Sequence, residues 1–357
     1  MAKRTRDDDG GALMPSVDFS PFMEDVGVVV GDAPTPAQAA CATQIDRIAK
    51  EHGFMHITHW GMSQELNDEA FAAAEELFAL PDTHKLEKLF RITPETNRGF
   101  APFGLENLNR SRPPDMKETF NVRFEPAHTN DFRGCPERFQ AVARRVQDVI
   151  EKAAKRYALA CALALGLERD YFHRSLARMD LCTTRYLHYP PCDVSSVTST
   201  DVSVAKAIRV GEHTDFGAYT FLLLKEGALG LQLKPHVDGA EIGGTAGGEA
   251  AGWQDVLLPP AERGTVGALV NTGALLARWT NDHWKATAHR VIVPDAEVAS
   301  RDRYSIACFI DPDAKARVAV DPRFVAEGEA ARYPETTGLD YLLMKLRQAQ
   351  GIEEAKG

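Results

Sequence analysis

The feature that most constrains this chain is a block of short strand-like segments running from about Asp180 to Asp311. It includes Leu181–Tyr189, Val210–Leu224, Leu229–Leu233, Ala268–Thr272, Leu276–Trp279, His289–Val293 and Tyr304–Ile310. Many short strands packed into one stretch of chain point to a sandwich or barrel rather than to a parallel sheet. What precedes the block is helical. Phe139, Val142, Val146, Val149, Ala153, Tyr157 and Ala160 recur at three- and four-residue steps, with Pro136 expected at the first helical position and Gly166 at the C-terminal end. An amphipathic helix of that length serves most simply as a support for a sheet. Shorter helices are expected over about Pro36–Glu51 and Ser63–Leu80, and strands at Ser16–Pro21 and Gly53–Ile57. Residues 91–126 show no clear periodicity and read as a long functional loop. The Gly-rich stretch 238–252 reads as a surface hairpin extension, 193–207 as a polar loop and 338–350 as a C-terminal helix.

Within the strand block, four short pieces carry chemistry. They are His213-Thr214-Asp215, His289, the triplet Arg303-Tyr304-Ser305, and Tyr189 in His188-Tyr189-Pro190-Pro191. In a strand, residues i and i+2 face the same way, so His213 and Asp215 are expected to grip one ion from one strand, and Arg303 and Ser305 to share a face of another. Two histidines and one carboxylate on one side of an ion leave the opposite positions open, the arrangement of non-haem Fe(II) oxygenases. Each piece has an ordinary reading when taken alone. His289 can be a satisfied core histidine, Tyr189 a core aromatic beside a turn, and Arg303 with Ser305 a charged-polar pair at a strand end. A second His-x-Asp, His236-Val237-Asp238, lies at the mouth of the Gly-rich stretch with no third ligand in register, and reads as a solvated loop.

Composition excludes several other functions. A net charge of -10 disfavours sequence-independent nucleic-acid binding, which needs a basic surface. No apolar run approaches a membrane span, and the polar start of the chain leads into no signal-peptide core. The six cysteines form no C-x-x-C pair, which fits free thiols in a cytoplasmic protein better than disulfides or structural zinc.

Together these residues resemble the isopenicillin N synthase-like group of Fe(II)/2-oxoglutarate-dependent oxygenases. Besides His213-Thr214-Asp215, the likeness runs through Asn271-Thr272-Gly273, Lys285–Val291 and Arg303-Tyr304-Ser305. It also takes in Glu51–Phe54, Leu80-Pro81, Arg98-Gly99-Phe100, Lys117–Phe120 and Leu187–Pro191. The resemblance implies an α+β fold with a mainly β core, a double-stranded β-helix (jelly roll) flanked by α-helices. The polar, Gly-containing residues 1–16 read as a disordered lead, and 17–350 as a single oxygenase domain, divided into a helical part (17–170), a jelly-roll core (180–312) and the C-terminal helix (338–350). The resemblance also implies His213, Asp215 and His289 as catalytic Fe(II) ligands, and Arg303 and Ser305 as the holders of the distal carboxylate of 2-oxoglutarate, with Tyr189 as a third contact.

The reaction expected is oxidation of a C–H bond of a small molecule by O2, with release of succinate and CO2, in secondary metabolism. Hydroxylation, desaturation and ring closure all fall within it. The alternatives are an iron oxidase of the isopenicillin N synthase kind that needs no 2-oxoglutarate, a zinc hydrolase on the same triad, and a non-catalytic jelly-roll binding module. Two departures stand out. Leu187 and His188 replace an Asn and a Tyr common in the family, which can remove a polar contact to the co-substrate, and Ala274 stands where an Asp is common. Segment 98–123 is the expected substrate lining. There Arg98, Arg110, Arg112 and Lys117 can meet an acidic or amino-acid-like substrate, and Phe100, Phe103 and Phe120 can pack on it, although each also has a plain surface or core reading.

Overall fold

A computed structural model describes residues 12–23, 33–93, 95–106, 113–192, 208–235, 252–260, 262 and 264–349. The first half of the chain alternates short strands with helices. In order these are β1 (Ala12–Leu13), β2 (Ser16–Asp18), α1 (Ser20–Met23), α2 (Pro36–Glu51), β3 (Phe54–Thr58), α3 (Gln64–Phe78), α4 (Asp82–Lys88), β4 (Gly99–Ala101), β5 (Glu118–Arg123) and α5 (Glu137–Ala164). The second half is mainly strand: β6 (Thr183–Tyr189), β7 (Ile208–His213), β8 (Tyr219–Leu224), β9 (Leu231–Leu233), β10 (Gln254–Leu257), β11 (Ala268–Thr272), α6 (Ala274–Trp279), β12 (His289–Ile292), α7 (Ala296–Ala299), β13 (Arg303–Ile310), β14 (Arg317–Val318), β15 (Thr336–Thr337) and α8 (Gly338–Ala349).

Two sheets result. One has eight strands in the order β2-β3-β11-β8-β13-β6-β5-β4, and the other five in the order β1-β10-β9-β12-β7. From β6 to β13 the chain passes repeatedly from one sheet to the other, which is how a double-stranded β-helix is wound. The space between the sheets is lined by Leu187, Tyr189, Leu269, Phe54 and Ala307 from the larger sheet and Val210, Leu231, Leu233 and Val291 from the smaller. The outer face of the larger sheet is covered by helices. Thr35 caps α2 through a reciprocal hydrogen-bonded box with Gln38, and Ser63 caps α3 at the Leu66 amide. The inward stripe of α5 supplies Phe139, Val142, Val146, Ile150, Ala153 and Tyr157 to one large apolar core. There the Tyr157 ring meets Tyr219 and Phe221 edge-on at 5.0 and 5.7 Å. No helix among the described residues is long and apolar enough to cross a membrane. All six cysteines are free.

Several expectations need correction. Ala12 and Leu13 are not part of a disordered lead, because they add a strand to the edge of β10, opposite Val256 and Leu257; residues 1–11 lie outside the described residues. Leu276–Trp279 is helical rather than extended: Ala274 to Trp279 is a run of good helix formers that buries Leu275, Leu276 and Trp279, and a short apolar run does not distinguish strand from helix. Segment 91–126 is not one loop but contains β4 and β5. All six residues of β5 are buried, yet four are polar, so the alternation of Phe120 and Val122 with Thr119, Asn121 and Arg123 is too short to mark more than a weak strand signal. Pro136 caps α5 one residue before its first turn, with Gly166 just past the end at φ +65°. The Gly-rich stretch 238–252, apart from Gly252, lies outside the described residues, but it joins the antiparallel pair β9 and β10. Residues 193–207 and the whole of the second motif, His236-Val237-Asp238, also lie outside them.

Candidate active site

The site forms where β7 and β12 lie side by side, with His213 directly opposite His289 across the pair. Their rings stand 4.2 Å apart, and the ligand-capable atoms of His213, Asp215 and His289 lie within 4.8 Å of one another. Strand β7 ends at His213, so Asp215 is not on it. The carboxylate reaches the histidines from the turn that follows, and the expectation of two ligands on one strand face is corrected to that extent. The turn is fixed by backbone bonds, since the Ala274 amide donates to Asp215 O at 2.8 Å and the Gly273 amide to Ala218 O at 2.8 Å. Gly273 is needed there: a Cβ at that position would lie 2.1 Å from the Gly217 carbonyl oxygen.

Both imidazoles are oriented by their own backbone. His213 Nδ1 donates to Gly211 O at 2.8 Å and His289 Nδ1 to Thr287 O at 3.2 Å. Each Nε2 lone pair is thereby left facing Asp215 Oδ1, at 3.9 and 3.8 Å. Those separations are too long for hydrogen bonds and suit three donors around a common ion. The other oxygen, Oδ2, is taken: Thr220 Oγ1 donates to it at 2.6 Å and Asn271 Nδ2 at 2.7 Å. Thr220 and Asn271 are themselves cross-strand partners on β8 and β11. Burial, reinforced by His289, pulls the His213 pKa down to about 3, so its ring is neutral. Burial works the other way on Asp215, but the two histidines and the two donors hold its carboxyl below the usual range. Two imidazoles and an ionised carboxylate, with Nε2, Nε2 and Oδ1 converging, make a donor set that fits a divalent iron.

Deeper between the sheets lie Arg303, Ser305 and Tyr189. Arg303 and Ser305 share a face of β13, as their spacing requires, and both are buried. Tyr189 on β6 is the cross-strand partner of Arg303, and its ring centre lies 4.9 Å from the guanidinium carbon. Arg303 Nε donates to Leu229 O at 3.0 Å, while Nη1 has no hydrogen-bond partner. A buried guanidinium nitrogen without a partner is costly unless an anion comes to it, so this pocket fits a carboxylate. The departures from the family pattern are visible here. Leu187 faces the apolar interior beside Tyr189. His188 points to the opposite face, clamped between Glu118 at 2.7 Å and Asp302 at 2.6 Å, and reaches nothing in the pocket.

Of the residues expected to line a substrate cavity, Lys117 borders the iron-site strand. Its neighbour Asp115 accepts from the Gly211 amide at 3.4 Å, and the Lys117 charge contributes to the low His213 pKa. Lys117 is already paired with Asp115 at 2.5 Å and with Glu106 at 3.3 Å. Glu106 also receives Arg185 at 3.1 Å, and these two cations hold its carboxyl low against burial. Arg98 turns outward to the Thr129 carbonyl. Phe100 and Phe120 are core residues under the helices, whereas Phe103 is exposed. Arg110 and Arg112 lie outside the described residues. Sequence reasoning did not find Thr220, and it noted Asn271 only as part of a matching segment. The signal available was that both sit on strands immediately next to the triad.

Known proteins resemble the chain over most of its length. Residues 14–140 match the family model of the non-haem dioxygenase N-terminal region named for morphine synthesis. Residues 179–312 match that of the 2OG-Fe(II) oxygenase superfamily. The chain is 28% identical over 337 residues to the 2-oxoglutarate-dependent dioxygenase htyE of Aspergillus rugulosus, covering 88% of this chain and 94% of that protein. It is 28% identical over 324 residues to the 2-oxoglutarate-dependent dioxygenase citB of Monascus ruber, covering 84% of each. Among solved structures, a full-length Neurospora crassa protein in complex with alpha-KG and thymine superposes with a TM-score of 0.74 at 27% identity, over 97% of this chain and 98% of that one.

Proposed function

The chain belongs to the Fe(II)- and 2-oxoglutarate-dependent oxygenases, and on that premise we propose that His213, Asp215 and His289 hold its iron while Arg303, Ser305 and Tyr189 hold the distal carboxylate of 2-oxoglutarate. The enzyme is a dioxygenase that oxidises a small-molecule substrate. Bound Fe(II) supplies the centre at which O2 is used, with 2-oxoglutarate converted to succinate and CO2 and a substrate C–H bond oxidised. The chain's own contribution is placement. The Gly211 and Thr287 carbonyls fix the tautomer in which Nε2 is the metal-facing atom. Thr220 and Asn271 hold Oδ2 so that Oδ1 alone turns to the ion. Arg303 sets the direction from which the co-substrate enters, and the apolar lining of Phe54, Leu187, Leu231 and Val291 keeps water from the space between the sheets. The observation that carries this reading is the convergence of two oriented Nε2 atoms and one free carboxylate oxygen, with an unpartnered arginine nitrogen in the same interior. Residues 17–350 act as one catalytic domain on this reading, since β2 to β5 hydrogen-bond into the sheet that carries β13.

For the substrate, the finer reading is a molecule of no net charge. Two of the cations bordering the site, Lys117 and Arg185, are balanced by Asp115 and Glu106, so an anion would have to break buried pairs to bind there. A neutral heterocycle or a zwitterionic amino acid would not. The thymine bound by the Neurospora crassa protein is of the first kind. The test is succinate release by the Fe(II) enzyme over a panel of neutral, zwitterionic and anionic small molecules. Stimulation confined to anions would refute the substrate class. Unchanged 2-oxoglutarate affinity in Arg303→Ala would refute the anchor.

A further inference from the structure

Arg209, on β7 four residues before His213, is fully buried yet has almost no partners. Its Nε and Nη1 make no hydrogen bond. Its Nη2 reaches only the carbonyls of Pro190 and Arg301, both at 3.4 Å. Among the described residues no carboxylate lies within ion-pair distance of Arg209 or of Arg303. Both guanidinium groups lie near one ring: the Arg209 carbon is 6.0 Å from the centre of Tyr189 and the Arg303 carbon 4.9 Å. Burial, opposed by Tyr189 and helped by the positive charge of Arg209, pulls the Arg303 pKa below its ordinary value.

A buried, unpaired guanidinium is among the most costly groups a fold can hold, and two of them facing one aromatic ring compound the cost. Side-chain packing alone would be served better by an apolar residue. The arrangement makes sense if an anion completes it. Of the other buried cations, Lys85 has Glu118 at 2.9 Å and Lys117 has Asp115, and Arg123, which has no carboxylate in contact among the described residues, is held by His128 and the Asp180 carbonyl. The pocket around Tyr189 also lacks a polar side chain at position 187, where Leu faces the interior.

We propose that Arg209 is a second guanidinium of the co-substrate anchor, sharing with Arg303 the negative charge of the distal carboxylate of 2-oxoglutarate. This rests on the reading that Arg303 anchors that carboxylate, and it assigns a role to a residue outside the Arg-x-Ser pair. It makes Arg209 a residue that costs stability in the free protein and returns it on binding.

The test is titration of the anaerobic Fe(II) protein with 2-oxoglutarate and with 2-oxopentanoate, which has the same chain length and no distal carboxylate, together with thermal unfolding of the metal-free protein. In Arg209→Met the dissociation constant for 2-oxoglutarate is expected to rise about tenfold or more, the scale of a lost hydrogen bond to a charged group. The constant for 2-oxopentanoate is expected to stay unchanged, and the Tm of the metal-free protein to stay equal or rise. An unchanged 2-oxoglutarate constant, or an equal loss for both acids, would overturn the proposal. If Arg209→Met yields no folded protein, Arg209→Gln, which drops the charge and keeps donors for the two carbonyls, is read by the same titration. Weakening in Arg303→Ala but not in Arg209→Met overturns only the role of Arg209. Failure of the wild type to bind 2-oxoglutarate overturns the functional reading itself.

Discussion

Asp215 is held at one oxygen by two side chains so that the other stays free, and this makes Asn271→Ala a sharp perturbation. Asn271 Nδ2 and Thr220 Oγ1 reach the same oxygen from paired strands at 2.7 and 2.6 Å. Hydrogen bonds to a buried charged acceptor contribute about 1.5–3 kcal/mol each. Removing one leaves the carboxylate able to rotate about the other, and loss of such an orienting partner typically weakens metal binding by about 10- to 100-fold. Fe(II) affinity should fall by that factor in Asn271→Ala and in Thr220→Val. Because the two donors share one oxygen, the double variant should lose more than the sum of the single losses. The assay is anaerobic competition of the protein with a chelator for Fe(II), with circular dichroism confirming the fold. An Fe(II) affinity within about twofold of wild type in the double variant would refute the argument, since the carboxylate would then need neither of its orienting donors to hold the ion.

Four further outcomes are expected. Gly273→Ala should abolish Fe(II) binding, because its Cβ would meet the Gly217 carbonyl at 2.1 Å and force apart the turn that carries Asp215; equilibrium dialysis of iron checks this. Metal-free protein should lose stability as pH falls below about 6.5. Burial holds the folded His213 pKa near 3, so between those values the unfolded chain binds a proton that the folded one does not; urea midpoints at several pH values should show the slope flattened in His213→Gln. Asp311→Asn should have the opposite sense. Burial raises the Asp311 pKa to about 7, so its carboxyl costs stability as pH rises through the window from 3.8, and the variant should unfold at higher urea than wild type at pH 8. Phe221→Ala, in the centre of the aromatic cluster with Trp60 and Tyr157, should cost about 3–5 kcal/mol in denaturant unfolding, with the iron donors left in place.

The site residues could be named from the sequence because they are fixed by spacing and residue type: a His-x-Asp followed by β-formers, a later His, and an Arg-x-Ser on a strand. Periodicity likewise marked α5, whose buried face is apolar except for Gln147. What stayed hidden has physical reasons. Strand β5 is buried but has only two apolar residues, Phe120 and Val122, while its polar Glu118, Asn121 and Arg123 are buried against partners from other elements, so its composition resembles that of a loop. Helix α6 is too short for its period to show. Whether Asp215 sits on β7 or beyond it depends on backbone bonds from Gly273 and Ala274, almost sixty residues away in sequence. Thr220, Asn271 and Arg209 matter through what they touch, and a single sequence does not record contacts. The charge balance of Lys117, Asp115, Glu106 and Arg185 was invisible for the same reason.

The central claim is that iron and 2-oxoglutarate meet at His213, Asp215 and His289. The most direct test is the visible spectrum of the anaerobic Fe(II) protein with and without 2-oxoglutarate, for wild type and for His289→Ala. The account predicts a charge-transfer band that needs both iron and 2-oxoglutarate in the wild type and is lost in the variant. A wild-type protein that binds iron but shows no band at saturating 2-oxoglutarate, or a variant with the full band, would contradict it.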